Sequence, residues 1–312
     1  MEKKQTTSHI LMVRPANFGF NEETAANNAF QSRDKSKKQS EIKKTAQEEF
    51  DNFVEKLRKR KVHVLVADDS KKPVKTDAVF PNNWLTMHAD GTMILYPMFS
   101  PNRRLERDEK IVEMLENQYF VHRKIHLEHY EAVDQYLEGT GSMILDRVHE
   151  IVYACLSVRT DLPLLDEFCE IMGYKRVAFH AVDGNGQPIY HTNVMMALGE
   201  TFVVICMDTI EDEDERMNLI KHFETTKKDI IEISLAQMLK FAGNMLQVRN
   251  DFHETFLVMS EQAYYSLHPA QLNHIQRHTQ IIFADIKTIE TYGGGSARCM
   301  MAEIFFEKKL VF

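Results

Sequence analysis

Five short polar or glycine-rich motifs interrupt the apolar runs of this chain at nearly constant spacing, and that period constrains the fold more than any other feature. They are FPNNW at Asn83, LEGTG at Glu138, YHTNV at His191, AGNML at Asn244 and SARCM at Cys299, separated by 55, 53, 53 and 55 residues. The segments C-terminal to the motifs are also alike. WLTMHA and TMILYPM flank the Asp90-Gly91 turn, and SMILD precedes EIVYACLS; NVMMAL and TFVVICMDT flank Gly199, and MLQVR and TFLVMS flank Asn250-Asp251. Two apolar runs rich in β-branched residues around a turn read as a β-hairpin. A helical pattern comes next, at Glu106 to Gln118, Leu162 to Met172, Glu211 to Thr225, and as a shorter pair around Glu261 to His278. One more strand closes each unit, in KIHLEHY, RVAFHAV, DIIEIS or IIFADIK.

The fifth unit is split. After Cys299, MMAEIFFE supplies one strand, and the matching pieces stand at the front of the chain. These are HILMVRP as a strand, a helix ending near Arg60, and VHVLVA as a second strand. In that helix Ile42, Ala46, Phe50, Phe53, Val54 and Leu57 recur at helical spacing. Residues 9 to 66 are therefore expected to complete the C-terminal unit, closing a ring that leaves no sheet edge. The expected fold is a five-bladed α/β propeller with pseudo-five-fold symmetry, a single domain over residues 1–312. Two stacked α/β domains are the alternative, which would leave the period to coincidence. In the ring, loops of equal phase converge at the axis and bring Asn83, Glu138, His191, Asn193 and Cys299 into one site.

Bulk properties narrow the function. A net charge of −8 argues against a general nucleic-acid binder. The basic stretch from Ser32 to Lys44 is interspersed with polar and acidic residues and reads as the solvated start of a helix. MEKKQTTSHILMVRP lacks the apolar core of a signal peptide, and no run approaches the ~18 to 20 apolar residues that span a bilayer. Cys155, Cys169, Cys206 and Cys299 form no CxxC pair, so neither a disulfide framework nor a zinc site is expected. The reading is a cytoplasmic protein with reduced thiols and no membrane partner.

Cys, His and Glu together supply a nucleophile, an acid/base and a group that orients the base. Cys299 needs thiolate character, from a protonated His191 or a cationic substrate. His191 can protonate a leaving amine and then deprotonate water. Glu138 can fix the imidazole tautomer and stabilise its charged form. Taken singly, each motif reads as structural: LEGTG as a plain turn, a lone cysteine as a small buried hydrophobe, which is the expected role of Cys155, Cys169 and Cys206. Their common phase favours catalysis.

In the order DAVFPNN, LEGTG, SVRT, HTN, GGGSARC, the motifs resemble the guanidine-modifying superfamily of arginine deiminases, dimethylarginine dimethylaminohydrolases and amidinotransferases. The resemblance covers nearly the whole chain and implies the pentein fold, the five-bladed propeller already expected. MVRPANFGFNEETAANNAFQ and FPNNW are most similar to a bacterial branch labelled amidinotransferase or citrulline hydrolase. The resemblance implies Cys299 as nucleophile, His191 as acid/base and Glu138 as its acid partner. It implies Asp77 for a substrate α-amino group and Arg159 for the α-carboxylate, with a core salt bridge as the alternative role of Arg159. Arg103, or its neighbour Arg104, is implied as a second carboxylate ligand. No metal and no organic cofactor are implied; the implied partner is a small amino-acid substrate, and assembly into a homo-oligomer is compatible with it.

Three departures carry information. Deiminases and dimethylaminohydrolases carry an Asp that grips the guanidinium where this chain has Asn83, HxD is replaced by HTN with Asn193, and EGGD by EGTG with Thr140 and Gly141. A carboxylate only accepts hydrogen bonds and suits a planar cation that only donates, whereas an amide does both. Lost negative charge at the reacting end, with Asp77, Arg103 and Arg159 retained for an amino-acid head group, points to citrulline. The expected reaction is cysteine-dependent hydrolysis of its ureido C–N bond to ornithine, carbon dioxide and ammonia. The alternatives are a guanidine hydrolase, an amidinotransferase, or a non-catalytic ligand-binding propeller.

Overall fold

The computed structural model describes residues 3–25, 28, 30–33 and 36–309. Among them the strands are β1 (His9–Arg14), β2 (His63–Asp68), β3 (Leu85–Met87), β4 (Thr92–Leu95), β5 (Arg123–His126), β6 (Ile144–Asp146), β7 (Ile151–Cys155), β8 (Lys175–Phe179), β9 (Met196–Leu198), β10 (Phe202–Ile205), β11 (Asp229–Glu232), β12 (Leu246–Arg249), β13 (Thr255–Ser260), β14 (Gln280–Ala284) and β15 (Ala302–Ile304). They form five separate three-stranded sheets, β3-β4-β5, β6-β7-β8, β9-β10-β11, β12-β13-β14 and β15-β1-β2.

Every sheet has the same internal plan. The first two strands pair antiparallel and the third runs parallel to the second, as in Val203 opposite Leu198 and Phe202 opposite Asp229. A parallel pair needs a crossover, and the crossovers hold the longer helices, Gln39–Lys59, Glu109–Gln118, Leu162–Met172 and Glu213–Thr225. The fifth sheet joins the two ends of the chain: β1 pairs antiparallel with β15 and parallel with β2. Helix Gln39–Lys59 buries the same six residues that its periodicity singles out. The middle strands β7 and β10 are buried at every position, so their continuous apolar runs are core strands.

Boundaries differ from expectation where capping decides them. Asp108 accepts the Lys110 backbone N–H and starts the second long helix at Glu109. Glu106 belongs instead to a preceding 3-10 turn, Pro101–Glu106. The pattern at Glu261 to His278 divides into Glu261–Ser266 and Pro269–Gln276, because Pro269 cannot continue one helix and readily opens another. The stretch before Cys299 holds a helix that its sequence conceals, Lys287–Gly293. Gly294 ends it with φ at +63°, in the left-handed region that disfavours a side chain. The basic stretch is partly outside the described residues; from Ser36 it is exposed through Glu41 and enters its helix at Gln39. No helix of the described residues is long and apolar enough to cross a membrane.

Candidate active site

Each motif lies just ahead of the first strand of its sheet, and hydrogen bonds link each motif to the next. Thr140 Oγ1 donates to the Asn82 carbonyl at 3.3 Å, and Thr192 Oγ1 to the Ser142 carbonyl at 2.6 Å. Asn244 Nδ2 donates to the Asn193 carbonyl at 2.8 Å, and the Arg298 backbone N–H donates to Asn244 Oδ1 at 3.1 Å. The last motif meets the first through Phe80, whose ring packs so closely on Gly293 and Gly295 that a Cβ on either would lie under 3.0 Å from it. The glycines thus serve a ring of the first motif as well as the approach to Cys299.

At this junction Cys299, His191, Asp77, Asn83, Arg103 and Arg159 line one cleft, with Tyr190, Gly293, Gly294 and Gly295. The cleft encloses only about 20 Å³, room for roughly one water. A larger cleft of about 530 Å³ beside His9, Arg58 and His63 holds no nucleophile, so size and chemistry part company in this molecule. His191 Nε2 lies 2.7 Å from Glu138 Oε2, which leaves Nδ1 as the second ring nitrogen. Burial pushes the imidazole down to about 4 against the opposing pull of Glu138, so it is neutral at rest. Burial alone would raise the Glu138 carboxyl, but Arg159, 3.4 Å away, and then His191 hold it below the usual carboxylate range. Its other oxygen accepts the Phe99 backbone N–H at 2.9 Å. An imidazolium beside Cys299, one of the two expected routes to a thiolate, is thus not the resting state.

Two amides meet the nucleophile: Asn193 Nδ2 and Asn244 Nδ2 each lie 3.3 Å from Cys299 Sγ. The other thiols lack this setting. Burial pushes Cys155 and Cys206 up to about 12 and Cys169 up to about 11, which keeps them protonated and inert.

The other residues expected at the site are all buried, with different commitments. Asp77 Oδ2 accepts from Asn21 Nδ2 at 2.7 Å, and its Oδ1 is without a hydrogen-bond partner among the described residues. Arg159 lines the cleft and stacks on Tyr190, 5.0 Å from the ring centroid, while also bridging Glu138. Arg103, not Arg104, faces the cleft; the half-buried Arg104 turns to the Met98 carbonyl and Glu131. Arg103 is nevertheless committed elsewhere, with two donors on Glu106 at 2.9 and 2.8 Å and a third on Asn83 Oδ1 at 3.0 Å. The contact to Oδ1 sets which end of the Asn83 amide faces inward. Asn83 Nδ2 and Asn193 Oδ1 are buried without partners among the described residues.

Residues overlooked in the sequence are Glu106, Tyr190, Asn21 and, as a site residue, Asn244. Tyr190 precedes His191, packs on its ring at 4.7 Å and donates its hydroxyl to the Gly294 carbonyl at 2.9 Å. The phase of Asn244 was its only visible signal. Among the described residues, Asp229, His274 and His278 are the one group bringing three metal-type ligand atoms together; they are surface partners of one another.

Repeated β-hairpin–helix–strand units around a buried Cys-His-Glu arrangement define an enzyme of the guanidine-modifying class, acting on carbon–nitrogen bonds other than peptide bonds. More narrowly, the family model described as N,N dimethylarginine dimethylhydrolase, eukaryotic, matches residues 14–306, and the chain belongs to that family. Among solved structures, the N-terminal domain of ArgZ, an arginine dihydrolase from the ornithine-ammonia cycle in cyanobacteria, superposes with a TM-score of 0.74 at 16% identity, over 95% of this chain and 97% of that one. Unliganded AgrE gives 0.74 at 16% identity over 97% of this chain but 40% of its own, so the chain spans less than half of that longer protein. A dimethylarginine dimethylaminohydrolase adduct with S-methyl-L-thiocitrulline gives 0.65 at 14% identity, over 96% of this chain and 100% of that one. At such identities the likeness is one of fold. A search of curated proteins found no match.

Proposed function

We propose that this chain hydrolyses the ureido C–N bond of citrulline, releasing ornithine, carbon dioxide and ammonia through an S-carbamoyl intermediate on Cys299. The observation that carries the reading is a set of three unpartnered buried atoms at residues expected to touch substrate: Asp77 Oδ1, Asn83 Nδ2 and Asn193 Oδ1. A buried polar atom without a partner is costly, so a ligand that satisfies all three gains the most. Asp77 Oδ1 suits the α-ammonium. Asn83 Nδ2 is a donor, because its Oδ1 is taken by Arg103, and it suits a carbonyl oxygen. Asn193 Oδ1 is an acceptor, because its Nδ2 is turned to Cys299, and it suits an N–H. One donor beside one acceptor complements a ureido group; a guanidinium, which only donates, leaves Asn83 Nδ2 unsatisfied. Arg159 is the candidate for the α-carboxylate.

In this mechanism Cys299 attacks the ureido carbon, neutral His191 takes the thiol proton on Nδ1, and its imidazolium is stabilised by Glu138. His191 then protonates the departing amine and afterwards deprotonates the water that releases carbamate, which decomposes to carbon dioxide and ammonia. The reading includes a closed five-bladed ring, supported by the shared plan of the five sheets and by the terminal strands joined in one of them. It also takes residues 1–312 as one catalytic domain in the cytoplasm, with a small-molecule substrate and room for a homo-oligomer.

A second reading, arginine as substrate, is favoured by the neighbours described as an arginine dihydrolase. Assaying the purified chain with citrulline, arginine, agmatine and methylarginines separates the two. Ornithine and ammonia from citrulline are expected, and turnover of arginine with citrulline inert would sink the first reading. Inertness toward all four substrates would favour a binding propeller.

A further inference from the structure

The sulfur of Cys299 sits between two amides, of which Asn244 is oriented by the surrounding backbone and Asn193 turns its Nδ2 to the sulfur. Asn193 and Asn244 are both fully buried. Asn244 is pinned at both ends of its amide, Oδ1 by the Arg298 N–H and Nδ2 by the Asn193 carbonyl. An amide nitrogen carries two hydrogens. One goes to that carbonyl, and the other is left for Sγ at 3.3 Å.

The charged groups around the sulfur are engaged with partners of their own. Arg103 is clasped by Glu106, Arg159 bridges Glu138, and Arg298 turns to Glu303 at 2.7 Å. Asp77 stands in the same cleft with the wrong sign to favour a thiolate, and His191 is neutral at rest. The two amides are therefore the donors that the structure directs at Sγ, while the resting thiol points its own hydrogen at Asn244 Oδ1, 3.6 Å away.

We propose that Asn244, together with Asn193, is a catalytic residue: the amide pair stabilises the Cys299 sulfur as it becomes a thiolate. The pair does for the nucleophile what an oxyanion hole does for a tetrahedral intermediate. As the S–C bond forms, the S–H proton passes to His191 Nδ1; as the C–N bond breaks, the same proton goes to the leaving nitrogen. The charge the amides face is transient, and preformed donors meet it without reorganisation. The role rests on Cys299 being the nucleophile of the proposed hydrolysis, and it is independent of which substrate is hydrolysed.

The test needs no substrate. Alkylation of Cys299 by iodoacetamide is followed by peptide mass spectrometry in the full chain, from mildly acidic to mildly alkaline pH. Asn244→Ala removes one charge-assisted donor, and the rate at neutral pH is expected to fall about 10- to 100-fold. Asn244→Asp retains the oxygen that accepts the Arg298 N–H but places a carboxylate against the sulfur, so its rate is expected to fall further. This second variant guards against an alanine chain that fails to fold. A purely structural role would lower the melting temperature and leave the pH dependence of alkylation in place. Wild-type alkylation rates in folded Asn244→Asp, or an unreactive Cys299 in the wild type, would overturn the proposal. Should citrulline prove inert while both variants still lose thiol reactivity, the substrate reading fails and this one stands.

Discussion

In the proposed reaction Asn83 meets the ureido group, because Arg103 fixes which end of its amide faces inward. Asn83→Asp keeps the Arg103 contact and replaces the inward donor by an acceptor. Citrulline kcat/KM is expected to fall about 10- to 100-fold, the scale of a lost hydrogen bond with a group left unpaired, with the melting temperature little changed. Unaltered citrulline turnover would show that Asn83 does not touch the ureido group. Gly141 is the other discriminating position. A Cβ there would stand 2.3 Å from Asn83 Nδ2 and 2.9 Å from His191 Nδ1. Gly141→Ala is expected to abolish most turnover and, by overpacking a buried site, to cost about 1 to 3 kcal/mol in urea unfolding, read as a collapse of kcat measured on the folded variant. That Cys299, His191, Glu138 and Asn83 come together was legible in the sequence because their common phase marks them. Arg103 was legible as a cleft residue, but nothing local says that Glu106, three residues on, would clasp its guanidinium. Asn244 was in phase and still mute, because which of its amide atoms faces the sulfur depends on the backbone of two distant segments.

Elements were legible where period and punctuation agree, and concealed where they are short. Helix Gln39–Lys59 announces itself over 21 residues, whereas Lys287–Gly293 is brief, ends in glycines and draws its start from elsewhere. Glu49, on the long helix, accepts the backbone N–H groups of Thr288 and Ile289 at 2.8 and 3.0 Å. A residue from the front of the chain thus caps the element that leads into the Cys299 loop. Glu49→Ala leaves those two N–H groups unsatisfied and is expected to cost about 1 to 2 kcal/mol in urea unfolding. An unshifted midpoint would mean that the short helix is held by packing alone. The joining of β1 with β15 was readable for a different reason: two half-units of complementary content stood at opposite ends of a regular series, and unpaired strand edges are penalised. The 3-10 turns before β3 and β9 were not readable, because three-residue elements carry no period.

Across the whole molecule, buried titratable groups set opposing pH dependences. His191 is held down to about 4 by burial, and His88 well below its ordinary value for the same reason. In the unfolded chain both take up a proton near 6.5 that the folded state refuses, so their stabilising effect is complete above that pH and is lost as pH falls toward 4. Glu290 works the other way. It lies beside the Cys299 loop, accepts from Ser296 at 2.6 Å and from Gln262 at 2.7 Å, and burial raises its carboxyl to about 7. The folded state keeps this proton after the unfolded chain has lost it near 4.5, so its contribution is complete below 4.5 and disappears as pH rises through 7. A shift of that size corresponds to about 3 kcal/mol, enough to mask much of the histidine effect in the overlapping window. Glu290→Gln removes the masking group while preserving an amide that can still receive the Ser296 hydroxyl. Urea unfolding across this range should show the wild type losing stability only gently on acidification and the variant losing it steeply. The difference between the two should change by about 3 kcal/mol from above pH 7 to near pH 4.5. Parallel curves for the two proteins would mean that Glu290 is already ionised in the fold at low pH, and that its hydrogen bonds outweigh its burial.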